Sequence, residues 1–189
     1  MRRWFVADLH WGHKNILRFT SRPYKDLEEM REAFVKNWNS VVRKQDRVYV
    51  LGDWSFDTVE NTKKIMSRLH GDLILVAGNH DRNADVMIKM GFRNVIENDF
   101  IKIGGHKVYL SHFPYYPSWW SKLKAFFKRQ KLDTRFLHKR IVDDGNFLLH
   151  GHVHESYKFS GKQFNVGVDR NNYTPVSEEE VLKWIESFK

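Results

Sequence analysis

Carboxylates, imidazoles and one side-chain amide recur in this chain where an apolar run stops. Asp8 and His10 follow Arg3-Trp4-Phe5-Val6-Ala7, and Gly52-Asp53 follows Arg47-Val48-Tyr49-Val50-Leu51. Gly78-Asn79-His80-Asp81 follows Leu73 to Ala77, His112 follows Lys107-Val108-Tyr109-Leu110-Ser111, and His150-Gly151-His152-Val153-His154 follows Phe147-Leu148-Leu149. Asp8 and His10 are two apart, so extended backbone turns both to one side, where a carboxylate and an imidazole can share a metal ion. Each stretch alone reads equally well as a polar turn. Together they point to one site, because ligands in open α/β sheets collect outside the carboxyl ends of neighbouring strands.

The chemistry follows from the donor types. Oxygen and imidazole donors without thiolate suit manganese, iron, zinc and similar divalent ions. The chain has no cysteine, which excludes both thiolate ligands and disulfides. Asp8, His10, Asp53, Asn79, His112, His152 and His154 are too many donors for one tetrahedral ion. They suit two ions sharing a bridging carboxylate, a pair that lies roughly 3.5–4 Å apart and acts on phosphate esters by in-line displacement.

The elements that must position these residues are legible from periodicity. Residues 3–8, 47–51 and 73–77 read as buried strands. Asp26 with Glu29 forms a capping box for a helix running to about Val42, with Leu27, Met30, Phe34, Val35, Trp38, Val41 and Val42 inward. Asp57 with Glu60 is expected to cap a second helix, Thr58 to Leu69, and a short third helix covers about Ala84 to Met90 before Gly91. Strands alternating with helices predict a parallel sheet with crossover helices. The pattern then changes. Residues 100–103 and 107–110 read as a hairpin on Gly104-Gly105, residues 157–160 and 163–168 as a second hairpin around Gly161, and Ser177 with Glu180 as the cap of a last helix.

The chain of 189 residues, 41% hydrophobic and 29% charged, has the composition of one globular domain, 1–189. It lacks an apolar run of bilayer length or a leader-like start, so the expected location is cytoplasmic. The net charge of +9 suits an anionic partner. Much of that excess sits at about 115–145, where eight Lys and Arg face three Asp among Tyr115, Tyr116, Trp119, Trp120, Phe126, Phe127 and Phe136. This stretch reads as an inserted basic amphipathic helix or lid.

Asp8-x-His10, Gly52-Asp53, Gly78-Asn79-His80-Asp81, His112 and Gly151-His152-x-His154 resemble, in order and residue type, the five motifs of the calcineurin-like metallophosphoesterases. The Asp8 to Ile16 opening, the Arg22-Pro23-Tyr24 segment and the short length are similar to small bacterial and phage phosphohydrolases. The resemblance implies a four-layer α/β/β/α sandwich of two mixed β-sheets flanked by helices. It implies that Asp8, His10, Asp53 and His154 hold one ion and Asp53, Asn79, His112 and His152 the other, with Asp53 as the bridge. The implied cofactors are two divalent ions, manganese first, with iron, zinc, nickel or magnesium as alternatives. The implied reaction is phosphodiester or phosphomonoester hydrolysis by a hydroxide bridging the ions. Asp53 and Asn79 serve catalysis through the ions and the phosphate oxygens, and His80 acts on the phosphate or as the acid at the leaving group. His13 and Asn15 are candidate substrate contacts.

One position departs from the pattern. Many relatives orient the His80 equivalent with an Asp three residues after the bridge; here that position is Phe56. Asp57 already has a capping role. Asp81 is expected to brace the backbone, His150 and the Asn165 to Asp169 stretch to be structural, and His70, His106 and His138 carry no assigned role. The basic aromatic insert favours a nucleotide, cyclic nucleotide or nucleic-acid substrate. A membrane-surface lipid or nucleotide-sugar pyrophosphohydrolase is the alternative, although the lipid-A pathway enzyme carries Arg where this chain has His80. A non-enzymatic scaffold is a further alternative, weakened by the complete set of ligand residue types.

Overall fold

Alternate residues of three apolar runs face two different cores, which fixes these runs as strands buried on both sides. The computed structural model of the chain describes residues 1–117 and 136–188. Strands β1 (Arg3–Val6), β2 (Arg47–Val50) and β3 (Asp72–Val76) are parallel, with Val6 beside Val50 and Val50 beside Leu75. Trp4, Val6, Val48, Val50, Leu73 and Leu75 pack on one side against helices α2 (Leu27–Val41), α3 (Val59–Met66) and α4 (Ala84–Met90). Phe5, Tyr49, Leu51 and Val76 pack on the other side against a second sheet.

Two short strands complete the first sheet, in the order β10-β1-β2-β3-β4. Strand β4 (Asn94–Ile96) continues the parallel array, and β10 (Val176–Ser177) pairs antiparallel with β1. The second sheet has the order β5-β6-β7-β9-β8, from β5 (Asp99–Ile103), β6 (His106–Leu110), β7 (Phe147–His150), β8 (Phe159–Ser160) and β9 (Gln163–Asn165). Its β6-β7 and β7-β9 pairs are parallel and its outer pairs antiparallel. The expected α/β class, two mixed sheets flanked by helices, is what the chain forms. A last helix, α5 (Glu178–Glu186), packs Val181, Trp184 and Ile185 into the inter-sheet core.

Local chemistry sets most boundaries. Asp26 caps α2 by accepting the Glu29 N–H at 2.9 Å, while the Glu29 carboxylate turns back to the Lys25 N–H. Ser177 caps α5 through the Glu180 N–H. The Gly104-Gly105 turn has φ of 55° and 83°, the left-handed pair that a two-residue hairpin needs.

Several expectations shift. Thr58, not Asp57, caps α3, because its hydroxyl accepts the Asn61 N–H; Asp57 instead accepts from the Thr58 N–H and the Asn61 amide. Helix α3 stops at Met66, short of Leu69. The last hairpin is shorter than expected: Val166 leaves β9 to bond His150, Gly167 bridges to Ala7, and residues 168–170 form a 3₁₀ turn. The one-turn α1 (Ile16–Phe19) and strands β4 and β10 were not foreseen. Most of the expected basic helix or lid, residues 118–135, lies outside the described residues. Among the described residues no helix is long and apolar enough to cross a membrane.

Asp46, ahead of β2, pins the amino ends of the strands. Its carboxylate accepts the Arg2 N–H at 2.9 Å, the Arg43 N–H at 3.1 Å and the Trp4 indole N–H at 3.2 Å. Burial works to raise this carboxyl, but the backbone donors win and hold it below its ordinary value. A carboxyl depressed in the folded state stabilises above its unfolded value of about 3.9, and the contribution vanishes as pH falls through the folded value. Asp46→Ala is therefore expected to cost roughly 2–3 kcal/mol at pH 7 in urea unfolding, with the gap from wild type narrowing as pH falls below about 4. A gap independent of pH would contradict this role.

Candidate metal centre

The site forms where five strand ends meet. Beyond β1 and β2 the chain continues as two adjacent segments, with the Asp8 N–H on the Gly52 carbonyl at 3.1 Å and the His10 N–H on the Asp53 carbonyl at 3.0 Å. Asp8, His10, Asp53, His152 and His154 have left-handed backbones, with φ of 60°, 54°, 56°, 72° and 45°. Such conformations cost of order 1–3 kcal/mol each in non-glycine residues and persist where the surroundings over-determine them.

Those surroundings are specific. The Asp81 carboxylate accepts the N–H groups of Gly78 (2.7 Å), Trp54 (2.8 Å) and Asp53 (2.9 Å), so it ties the exit of β3 to that of β2. Asp53 Oδ1 accepts the His80 N–H at 3.0 Å. Both Asp8 oxygens accept the His152 N–H, at 3.0 and 3.1 Å. The backbone approaches both carboxylates so closely that side chains are excluded. A Cβ at Gly151 would lie 2.6 Å from Asp8 Oδ2, and one at Gly78 would collide with Asp53 Oδ1.

Two overlapping donor groups result. Asp8, His10 and His154 form one, and Asp8, Asp53 and His112 the other, with the offered atoms of each group within 4.8 Å of one another. Asp53 stands between two imidazoles: Oδ2 is 3.5 Å from His10 Nε2 and Oδ1 is 3.5 Å from His112 Nε2. His112 Nδ1 is 2.8 Å from the Leu51 carbonyl, which can only accept, so Nδ1 carries the proton and Nε2 presents a lone pair. That lone pair faces Asn79 Oδ1 at 3.1 Å. Among the described residues, both ring nitrogens of buried His10 lack a hydrogen-bond partner. Acceptors turned on one another and an orphaned imidazole are what a divalent cation would satisfy, so the donor set fits the ions that the sequence implies.

Electrostatics agree. Burial pushes the Asp8 carboxyl up to about 7, assisted by Asp53 and Asp169 and opposed by His154. Asp53 is also raised by burial. Burial lowers His10 and takes His112 down to about 4, so both rings are neutral and able to donate to a metal.

The remaining candidates take distinct places. The His152 ring lies against His112, centroids 5.2 Å apart. His80 packs on Phe56 at 5.0 Å, so a ring stands where relatives place an orienting carboxylate. His13 stacks on the same Phe56 ring at 4.4 Å. Asn15 is exposed at the start of α1 and is not among the residues lining the cleft beside His80. Buried His150 donates through Nδ1 to the Gly151 carbonyl at 2.7 Å and is lowered by burial to about 3.

Two residues escaped the sequence reading. Asp169 Oδ2 holds His154 Nδ1 at 2.8 Å, leaving Nε2 for the site. Asp169 in turn pairs with the fully buried guanidinium of Arg22 at 2.7 Å, and Arg22 also donates to the carbonyls of Asp8 (2.7 Å) and Leu9 (2.9 Å). Burial lowers His154, but the Asp169 hydrogen bond and charge leave it raised overall. Asp169 lies in the Asn165 to Asp169 stretch read as purely structural. Its only sequence signal is a carboxylate shortly after the last motif.

These donors at the ends of two mixed sheets define a site of the metallophosphoesterase kind. Residues 1–167 match the calcineurin-like phosphoesterase superfamily domain, and the chain belongs to that superfamily. It is 30% identical over 195 residues to the uncharacterized protein MJ1445 of Methanocaldococcus jannaschii, covering 98% of this chain and 92% of that protein. It is 32% identical over 189 residues to the Gene 66 protein of Mycobacterium phage L5, covering 88% and 86%. The crystal structure of AQ665 from Aquifex aeolicus, a protein of unknown function, shares the fold with a TM-score of 0.69 at 24% identity, covering 97% of this chain and 98% of that one.

Groups that orient a metal-binding histidine typically change metal affinity 10–100-fold when removed. Asp169→Asn keeps an acceptor near His154 but loses the charge. Its manganese affinity, read as the rise of thermal midpoint with added ion, is expected to fall roughly 10–100-fold. An unchanged titration curve would show that His154 needs no such support.

Proposed function

We propose that this chain is a phosphoesterase dependent on two divalent metal ions, manganese first among them, which hydrolyses phosphomonoesters or phosphodiesters of nucleotides or nucleic acid. The observation that carries the reading is Asp53, whose two oxygens each face a different neutral imidazole, His10 and His112, at 3.5 Å. Asp8, His10, Asp53 and His154 would hold one ion, and Asp53, Asn79, His112 and His152 the other. Bound there, the ions would supply an acidified water as nucleophile and positive charge for the phosphate oxygens.

The chain's own groups complete the arrangement. Asn79, fixed beside His112, is placed to hold an equatorial phosphate oxygen. His80 is tied through its backbone N–H to Asp53, which anchors its main chain beside the donor groups. Its ring, packed on Phe56, opens to the cleft and can deliver a proton to the leaving oxygen. The positive net charge raises the local concentration of anionic substrates.

Manganese-dependent hydrolysis of p-nitrophenyl phosphate or bis-p-nitrophenyl phosphate is the expected activity, with Asp53→Asn losing both metal binding and turnover. An absence of turnover with manganese, nickel, zinc and magnesium would sink the reading. His80→Ala is expected to lower kcat roughly 10²–10⁴-fold while bound metal, measured by elemental analysis, stays at the wild-type level. Loss of metal together with activity would instead make His80 a ligand.

A further inference from the structure

Beside the metal-binding residues the structure opens a cleft of about 560 Å³, within the size range of small-molecule sites. Its lining includes His10, His80 and His154, beside the donor groups where the phosphate would sit. Its outer part is aromatic. Phe56 stacks on His13 with ring centroids 4.4 Å apart, and Phe19 lies 5.9 Å beyond His13. Both phenylalanines face solvent, Phe19 at 70% exposure and Phe56 at 40%. Single exposed apolar side chains are ordinary, but two in one concave wall beside a site are the pattern of a ligand contact.

The charge of this wall is informative. Among its described lining residues there is no lysine or arginine, and the one carboxylate is Glu155 at the open rim. A second phosphate on the leaving group would find no cation among these described lining residues and would meet Glu155. A flat, uncharged group would bury apolar surface against Phe19 and Phe56 and could offer hydroxyl donors to Glu155.

We propose that this cleft selects phosphate esters whose leaving group is an uncharged nucleoside, with the base stacked on the Phe19-His13-Phe56 wall. The proposal rests on the phosphoesterase reading above and narrows it to nucleoside monophosphate esters over polyphosphates and sugar phosphates. Phe19 is the specificity residue best suited to a test, because its exposure on a one-turn helix lets it be replaced without disturbing the core.

The test compares hydrolysis of adenosine 5′-monophosphate and ribose 5-phosphate by the manganese-loaded full chain. Equilibrium titration with adenosine and with ribose adds a readout independent of turnover. The expected result is a kcat/KM preference for the adenosine ester of roughly tenfold, in the range for one base on an aromatic ring, with matching preferential binding of adenosine. Phe19→Ala is expected to remove most of both preferences and Phe19→Tyr to retain them. Glu155→Gln is expected to raise use of adenosine 5′-diphosphate several-fold relative to the monophosphate, and no change would overturn the charge requirement. Equal kcat/KM for the two esters with equal binding of adenosine and ribose overturns the inference and leaves the phosphoesterase reading standing. Failure on every ester, p-nitrophenyl esters included, overturns that reading instead. Adenosine binding that Phe19→Ala abolishes would then still support the aromatic wall.

Discussion

Two carboxylates, Asp8 and Asp53, are buried side by side at the ends of β1 and β2, and much of the molecule serves to hold them there. Like charges out of water repel and lose hydration, which is why burial raises both above the usual carboxylate range. The protein opposes this with neighbouring imidazoles and with oriented backbone dipoles. Backbone N–H groups of His152 and His80 point at the two carboxylates. Glycines at positions 78 and 151 let the main chain come within contact distance of them. The left-handed conformations at the exits follow from the same demand: a strand that must end by turning its carboxylate inward cannot continue as a strand. What makes that strain tolerable is the sheet behind it, with β1, β2 and β3 clamped between two cores.

Histidine orientation follows three different rules in this one site. His112 is fixed by a backbone carbonyl and His154 by a buried carboxylate, each through Nδ1, so each offers Nε2. His80 is set by packing: Phe56 lies against its ring, and among the described residues no carboxylate is bonded to it. A ring packed against an imidazole constrains its plane. The Phe56 ring therefore stands beside His80 at the position where the sequence departs from the family pattern.

Much of this was legible in the sequence for a physical reason. Strands buried on both faces give continuous apolar runs, and their functional ends interrupt those runs with polar residues at fixed offsets, so Asp8, Asp53, Asn79 and His112 stood out. Asp169 and Arg22 did not, because their roles arise from contacts 15 and 147 residues apart in the chain rather than from any local period. Strands β4 and β10 contribute three and two residues, too few for an alternation to register. The end of the second hairpin was misjudged because Val166 and Val168 keep the apolar alternation of a strand while the chain turns off to bring Asp169 under His154.

The distribution of charge separates attraction from selection. The chain as a whole carries +9, yet the described lining of the cleft beside His80 has no lysine or arginine. Long-range positive potential can gather anions of any kind at the surface and does not distinguish them. Discrimination must then come from short-range contacts, and those on offer are aromatic faces and one carboxylate. A phosphate drawn in by the global field would be held by ions bound at these donors, so the rest of the substrate would be judged on shape and stacking.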